Sequence, residues 1–290
     1  DLHTPPTPNT LFDEWILSRY ANTLAQINQA FEDYNFAAIT DLLWEFTWND
    51  FCDWYVEASK LDKENSAPTL VFVLGNILKL LSPYMPFVTD GIWDLLQAHV
   101  VPETNHNHTR SQTNNFLMLS NYPSAQPQLQ NKTAETTCAS LIEIIRNVRN
   151  IRASLNVPPK TQNKLIVTTD NKVLISLLKD SSITDTIQKL ARVSHIALNT
   201  QAPEQSATAA IGESKLIVPL EGLIDLNAER ERLEKQRQKL EKEVGALTGK
   251  LSNSQFTSKA PEHVVADIQK KAEKAANELK TVTDKIASFT

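Results

Sequence analysis

Arg146, Arg149 and Arg152 fall three residues apart in one stretch of helical period. On a helix that spacing spreads them over about a third of the circumference, which can follow a phosphate backbone or form a solvated basic face. Lys235, Lys239 and Lys242, with Arg232, make a second basic series; interleaved Glu231, Glu234, Glu241 and Glu243 give it the mixed charge of an ordinary coiled-coil surface. Trp44, Trp48, Phe51, Trp54 and Tyr55 crowd into twelve residues. Such rings stack on unpaired bases, and they also fill helical cores. Core is the expectation for most of them; Trp54, beside Asp53 and off the main apolar stripes, is the ring expected at the surface.

Enzymatic chemistry is poorly represented. The chain has no GxxxxGK[ST] or GxGxxG to cradle a phosphate, no GxSxG and no HExxH. Asp50, Asp53 and Glu57 share one side of a helix at spacings of three and four, more often a solvated acidic stripe than a catalytic carboxylate pair. His99, His106 and His108 gather near a polar stretch, but with no cysteine nearby they read as part of a loop rather than a metal site.

The totals frame these candidates. The 290 residues, 41% hydrophobic and 22% charged, allow two or three domains. Six glycines against fourteen prolines favour helices joined by proline-stopped loops. Two isolated cysteines point to a reducing, cytoplasmic setting. No apolar run reaches the roughly 20 residues of a membrane span. The opening DLHTPPTPNT reads as a linker and the chain as a fragment. Charge is uneven: residues 1–125 hold five Lys/Arg against fifteen Asp/Glu, whereas 126–222 hold eleven against eight and 223–290 thirteen against eleven. Phosphate attraction is therefore expected from the second half, and the first region must work by shape and base contact.

The elements that would position these residues follow from periodicity. Thr10 with Asp13 starts a helix carrying Phe12, Ile16, Tyr20, Leu24, Ile27 and Phe31. A second helix, about 36–60, bears two apolar stripes (Ile39, Leu43, Phe46 and Trp44, Trp48, Phe51, Tyr55) and so belongs between other helices. A third, about 69–81, stops at Ser82-Pro83, and a fourth starts with Thr89 as N-cap. Residues 104–115 hold no apolar residue and read as a loop. Another helix spans about 132–156. The period then changes: strands are predicted at 165–169, 193–198 and 215–219, with short helices between 172 and 191 and a turn at Gly212-Glu213. Leu226, Leu233, Leu240 and Leu247 repeat every seven residues; after a break ended by Pro261, Val265, Ile268, Ala272, Ala275, Leu279, Val282, Ile286 and Phe289 follow at threes and fours. This is an antiparallel coiled-coil hairpin with arms of roughly 40 Å at 1.5 Å per residue. Arg230 and Arg237, at seam positions, should weaken its packing.

Three segments carry a resemblance. LFDEWILSRY, FTWNDFCDWYVEASK and LLSPYMPFVTDGIW are similar to the anticodon-binding helical domain shared by the valyl, isoleucyl and leucyl class I aminoacyl-tRNA synthetases. IIRNVRNIRASLNVPPK resembles the segment that follows it in the valyl branch, and GLIDLNAERERLEKQRQKLEKEV with KLSNSQFTSKAPEHVV resembles the valyl C-terminal arm. Ser82 and Asp90 depart mildly from the family pattern, which often has His and Glu there, and the HIGH-like and KMSKS-like signatures are absent.

The resemblance implies a mainly α fold: an anticodon-binding helical bundle (9–159), a small α+β module (160–222) and an antiparallel coiled-coil tRNA-binding arm (223–290). It implies the tRNA-recognition part of a valine–tRNA ligase, a likeness to an enzyme without a catalytic motif in this segment. Its partners would be valine tRNA and the upstream catalytic and editing domains of the same chain. No cofactor is expected in the segment; ATP and Mg would serve the parent enzyme. The chain is expected to be monomeric and away from membranes. Candidate tRNA contacts are Arg19, Asp53, Trp54, Arg146, Arg149, Arg152, Arg232, Lys235, Lys239 and Lys242. A protein-interaction hairpin and a free-standing RNA-binding protein are the competing readings.

Overall fold

The structure, a computed structural model, describes residues 4–100, 116–221, 223, 226–252 and 262–287. The chain divides into two compact units, Asp1–Glu143 and Ile144–Thr290.

The first unit is a helical bundle. α1 (Leu11–Glu32) begins with a capping box: Thr10 Oγ1 accepts from the Asp13 amide at 3.1 Å and Asp13 Oδ2 accepts from the Thr10 amide at 3.0 Å. Asp13 is wholly buried, and its other oxygen accepts the Tyr55 hydroxyl at 2.6 Å, tying the start of α1 to a distant helix. Burial, and then that carboxylate, hold the Tyr55 hydroxyl above its ordinary pKa. Ile16, Tyr20, Leu24 and Ile27 form the fully buried stripe the spacing predicts. α1 ends at Tyr34, in the left-handed region (φ 54°), with the Asn35 amide returning to the Ala30 carbonyl at 2.8 Å.

The second predicted helix is not uniform. α2 (Phe36–Trp44) runs into an eleven-residue π-helical segment (Glu45–Tyr55), then α3 (Val56–Ser59). α4 (Lys63–Leu81) starts earlier than predicted, and α5 (Pro86–Val100) begins at Pro86 rather than after Thr89. Pro86 gives up no helical hydrogen bond in the first turn, so the helix starts there. Thr89 is an interior residue, 1% exposed, whose hydroxyl bonds back to the Met85 carbonyl at 2.8 Å. A 3-10 turn (Leu117–Leu119) seats Leu117 against Leu78 and Trp93. α6 (Lys132–Ser154) opens beside α1, where Glu135 accepts from Ser18 and Asn22. The boundary between the units falls inside α6.

The second unit holds a four-stranded sheet in the order β2-β1-β4-β3. β1 (Asn163–Thr168) pairs in parallel with β2 (Val193–Leu198), joined through α7 (Lys172–Leu177) and α8 (Ser181–Ala191). β3 (Ser206–Ile211) and β4 (Ser214–Pro219) make the antiparallel hairpin on its other side. Gly212, at φ 53°, takes the predicted turn. β3 was not foreseen: SATAAI lacks the large β-branched and aromatic residues that mark a strand.

α9 (Leu226–Ser252) and α10 (Glu262–Ala287) form the expected hairpin. Leu233, Leu240 and Val282 are buried together, and Leu279 and Ile286 pack on them. Arg237 is half-exposed and pairs with Glu234 and Glu241 on its own helix. The side chains of Leu226, Arg230 and Arg232, the connecting residues up to Pro261, and His106 and His108 lie outside the described residues. No helix among the described residues is long and apolar enough to cross a membrane.

Candidate nucleic-acid interface

The π-helical segment sets which aromatic rings face outward. On an α-helix, residues five apart diverge by about 140°, so Phe46 and Phe51 would point to different sides. Bonds closing five residues apart bring them together, and Phe46, Phe51 and Tyr55 are all buried. Trp44 and Trp48 are consequently thrown outward, 63% and 53% exposed. Their rings stack at 5.4 Å between centroids and 14° between planes. Asp41, Glu45 and Asn49 are exposed around them. A flat indole stack rimmed by carboxylates and an amide offers a stacking surface plus acceptors and donors for base edges.

This overturns the expectation for Trp54, which is 8% exposed and belongs to the core. The α-helical period used to place it does not hold across Glu45–Tyr55. The second apolar stripe also splits, with Phe51 and Tyr55 inside and Trp44 and Trp48 outside. No sequence signal distinguishes an eleven-residue π segment from an α-helix with two apolar sides.

The acidic side divides as well. Asp50 turns inward to Arg19, with Nε to Oδ2 at 2.8 Å. Burial pushes the Asp50 carboxyl up, although the Arg19 charge and hydrogen bond pull the other way. Burial opposes the Arg19 charge too, and the Asp50 carboxylate keeps the guanidinium firmly ionised. Asp53 remains exposed, and Glu57 pairs with Lys60 on the next turn.

The arginine series is not one surface. Arg146 is exposed. Arg149, also exposed, donates from Nε and a terminal nitrogen to the Leu190 carbonyl at 3.1 and 2.9 Å. Arg152 is 7% exposed and clasps the loop before β1, donating to Asn163 Oδ1 at 2.7 Å and to the Pro158 carbonyl at 3.2 Å. The expected three-point phosphate track therefore loses Arg152 to the interior, where the loop before β1 supplies oxygen acceptors. Lys235, Lys239 and Lys242 are exposed along α9. Among the described residues no group of three or more His, Cys, Asp and Glu side chains gathers as a metal site would need.

Comparison with known proteins agrees with this arrangement. Residues 13–168 match the model of the anticodon-binding domain of tRNA ligase, and residues 225–289 match that of the valyl tRNA synthetase tRNA binding arm. The valine–tRNA ligase of Xylella fastidiosa (strain M23) is 37% identical over 278 residues, covering 91% of this chain and 27% of the relative. That of Geobacillus stearothermophilus is 34% identical over 291 residues, covering 97% and 31%. That of Listeria innocua is 33% identical over 286 residues, covering 96% and 31%. The chain thus spans less than a third of the length of these relatives. With a bundle that leaves an indole stack open and a basic helical hairpin behind it in sequence, the chain belongs to the tRNA-ligase family whose anticodon-binding domain is followed by the valyl-type tRNA-binding arm.

Proposed function

We propose that this chain is the tRNA-holding segment of a valine–tRNA ligase, in which a preceding catalytic domain uses ATP and Mg to activate valine and load it onto the tRNA. The observation that carries the reading is the exposed Trp44–Trp48 stack on the bundle. An unpaired anticodon base splayed from its loop gains a stacking partner there. Asp41, Glu45 and Asn49 lie within the same outer face to meet its edges. The acidic bundle suits base recognition, because carboxylates accept from base amino groups and need no phosphate. The arm supplies the complementary part: Lys235, Lys239 and Lys242 attract the phosphates of the tRNA body. The same reading makes the protein a cytoplasmic monomer working on one tRNA at a time.

Chemical footprinting of valine tRNA bound to this chain tests the division of labour. Protection is expected at both the anticodon loop and the tRNA body. Replacing Trp44 and Trp48 by Ala should remove the first and leave the second. Protection of the body alone, unchanged in that variant, would mean that the bundle reads no base.

A further inference from the structure

α5 carries a second exposed apolar surface with no role in the reading above. Phe87 is 92% exposed, and Val88, Ile92 and Leu95 form an exposed stripe at spacings of four and three. Thr89 and Trp93, on the inner side of the same helix, are buried. The 3-10 turn packed beside α5 adds Met118 and Leu119, while its Leu117 is anchored in the core. Asp90 is turned to the Leu117 amide, 3.1 Å from it. The chain has no lysine or arginine from residue 80 to residue 100, so this face holds no cation for a phosphate. A connected, uncharged apolar face of this kind marks a protein contact.

We propose that this face docks the part of the parent polypeptide that precedes residue 1; the proposal rests on the reading of the chain as a ligase segment. More than two thirds of each relative's length lies outside the matched region, so a folded body large enough to cover the face exists in those proteins. The path of the chain puts such a body on the correct end. Asn9 donates to the Asn65 carbonyl at 3.0 Å, in the first turn of α4. α4 and α5 run antiparallel across the turn at 82–85, so the chain enters at the end where α5 finishes. α5 is about 22 Å long at 1.5 Å per residue, within the reach of one domain joined there.

The test places a thiol on the face. Phe87→Cys and Leu95→Cys are made separately in the complete natural polypeptide and in the 290-residue chain, and maleimide labelling rates are compared. Cys52, whose thiol burial pushes up, sets the background, measured in the unsubstituted proteins. Labelling in the complete polypeptide is expected to be slower by about tenfold or more. Val88→Asp, a second probe at an exposed position, should lower the melting temperature of the complete polypeptide and leave that of the 290-residue chain unchanged. Equal labelling rates in the two proteins overturn the docking proposal. Protection already present in the 290-residue chain also overturns it, in favour of self-association if it rises with concentration and of a cover from the chain itself if it does not. Intact mass separates the two levels of the argument: a natural polypeptide no longer than this chain would refute the ligase-segment reading, whereas equal labelling in a longer one refutes docking alone.

Discussion

Exchanging the roles of three tryptophans tests the π-helical geometry and the function together. Trp44 and Trp48 are more than half exposed, so replacing both by Ala costs little more than their mutual stacking, up to about 1 kcal/mol. Trp54 is 8% exposed, and Trp54→Ala should cost about 3–5 kcal/mol because it opens a cavity in the bundle. For RNA the order reverses. Stacking of a base on an aromatic ring contributes about 1–3 kcal/mol, so loss of the Trp44–Trp48 surface should weaken valine-tRNA binding by about 5- to 150-fold. The assays are thermal melting and fluorescence anisotropy with labelled tRNA at one fixed salt concentration. A double variant that melts like the parent and binds like the parent would refute the stacking argument. A Trp54→Ala protein that melts like the parent would refute the helix geometry beneath it.

Other expectations follow from particular contacts. Arg152→Ala removes the clasp on Asn163 and Pro158 and should destabilise the second unit by about 2 kcal/mol, with the salt dependence of tRNA binding unchanged; urea unfolding and a salt titration check the two halves. Replacing Lys235, Lys239 and Lys242 together by Gln should reduce the slope of log affinity against log salt by about 2–3, and an unchanged slope would remove the arm from the phosphate contacts. Leu240→Ala, at a seam position 7% exposed, should cost the hairpin about 2–5 kcal/mol, seen as faster hydrogen exchange in α9 and α10 while the bundle amides keep their rates. Tyr34→Gly should stabilise the first unit by about 1 kcal/mol, since Tyr34 holds a left-handed conformation that glycine adopts without strain; a lowered melting temperature would contradict this.

Much of this architecture is legible in the residues because its causes are local. The Thr10–Asp13 cap, the Ile16–Tyr20–Leu24–Ile27 stripe and the Leu233–Leu240 seam each follow from spacing on a regular helix, and each sits where spacing puts it. The failures arise where spacing stops being the cause. The π segment changes the angular step, which reverses the environments of Trp48 and Trp54. Pro86 moves a helix start because the first turn tolerates a missing amide hydrogen, a preference that overrides the capping tendency of Thr89. Arg152 was grouped with Arg146 by period alone, and only tertiary structure shows the Asn163 and Pro158 oxygens that draw it inside. Strand β3, made of small residues, is defined by its pairing with β4 and not by its own composition.

The central claim, that this chain holds valine tRNA and reads its anticodon, is tested most directly by binding at one stated salt concentration to three RNAs: valine tRNA, the same tRNA with a changed anticodon, and isoleucine tRNA. The account expects a clear preference for the intact valine tRNA, lost when the anticodon is changed. Equal, salt-sensitive binding to all three would contradict it and leave a chain that grips tRNA by charge alone.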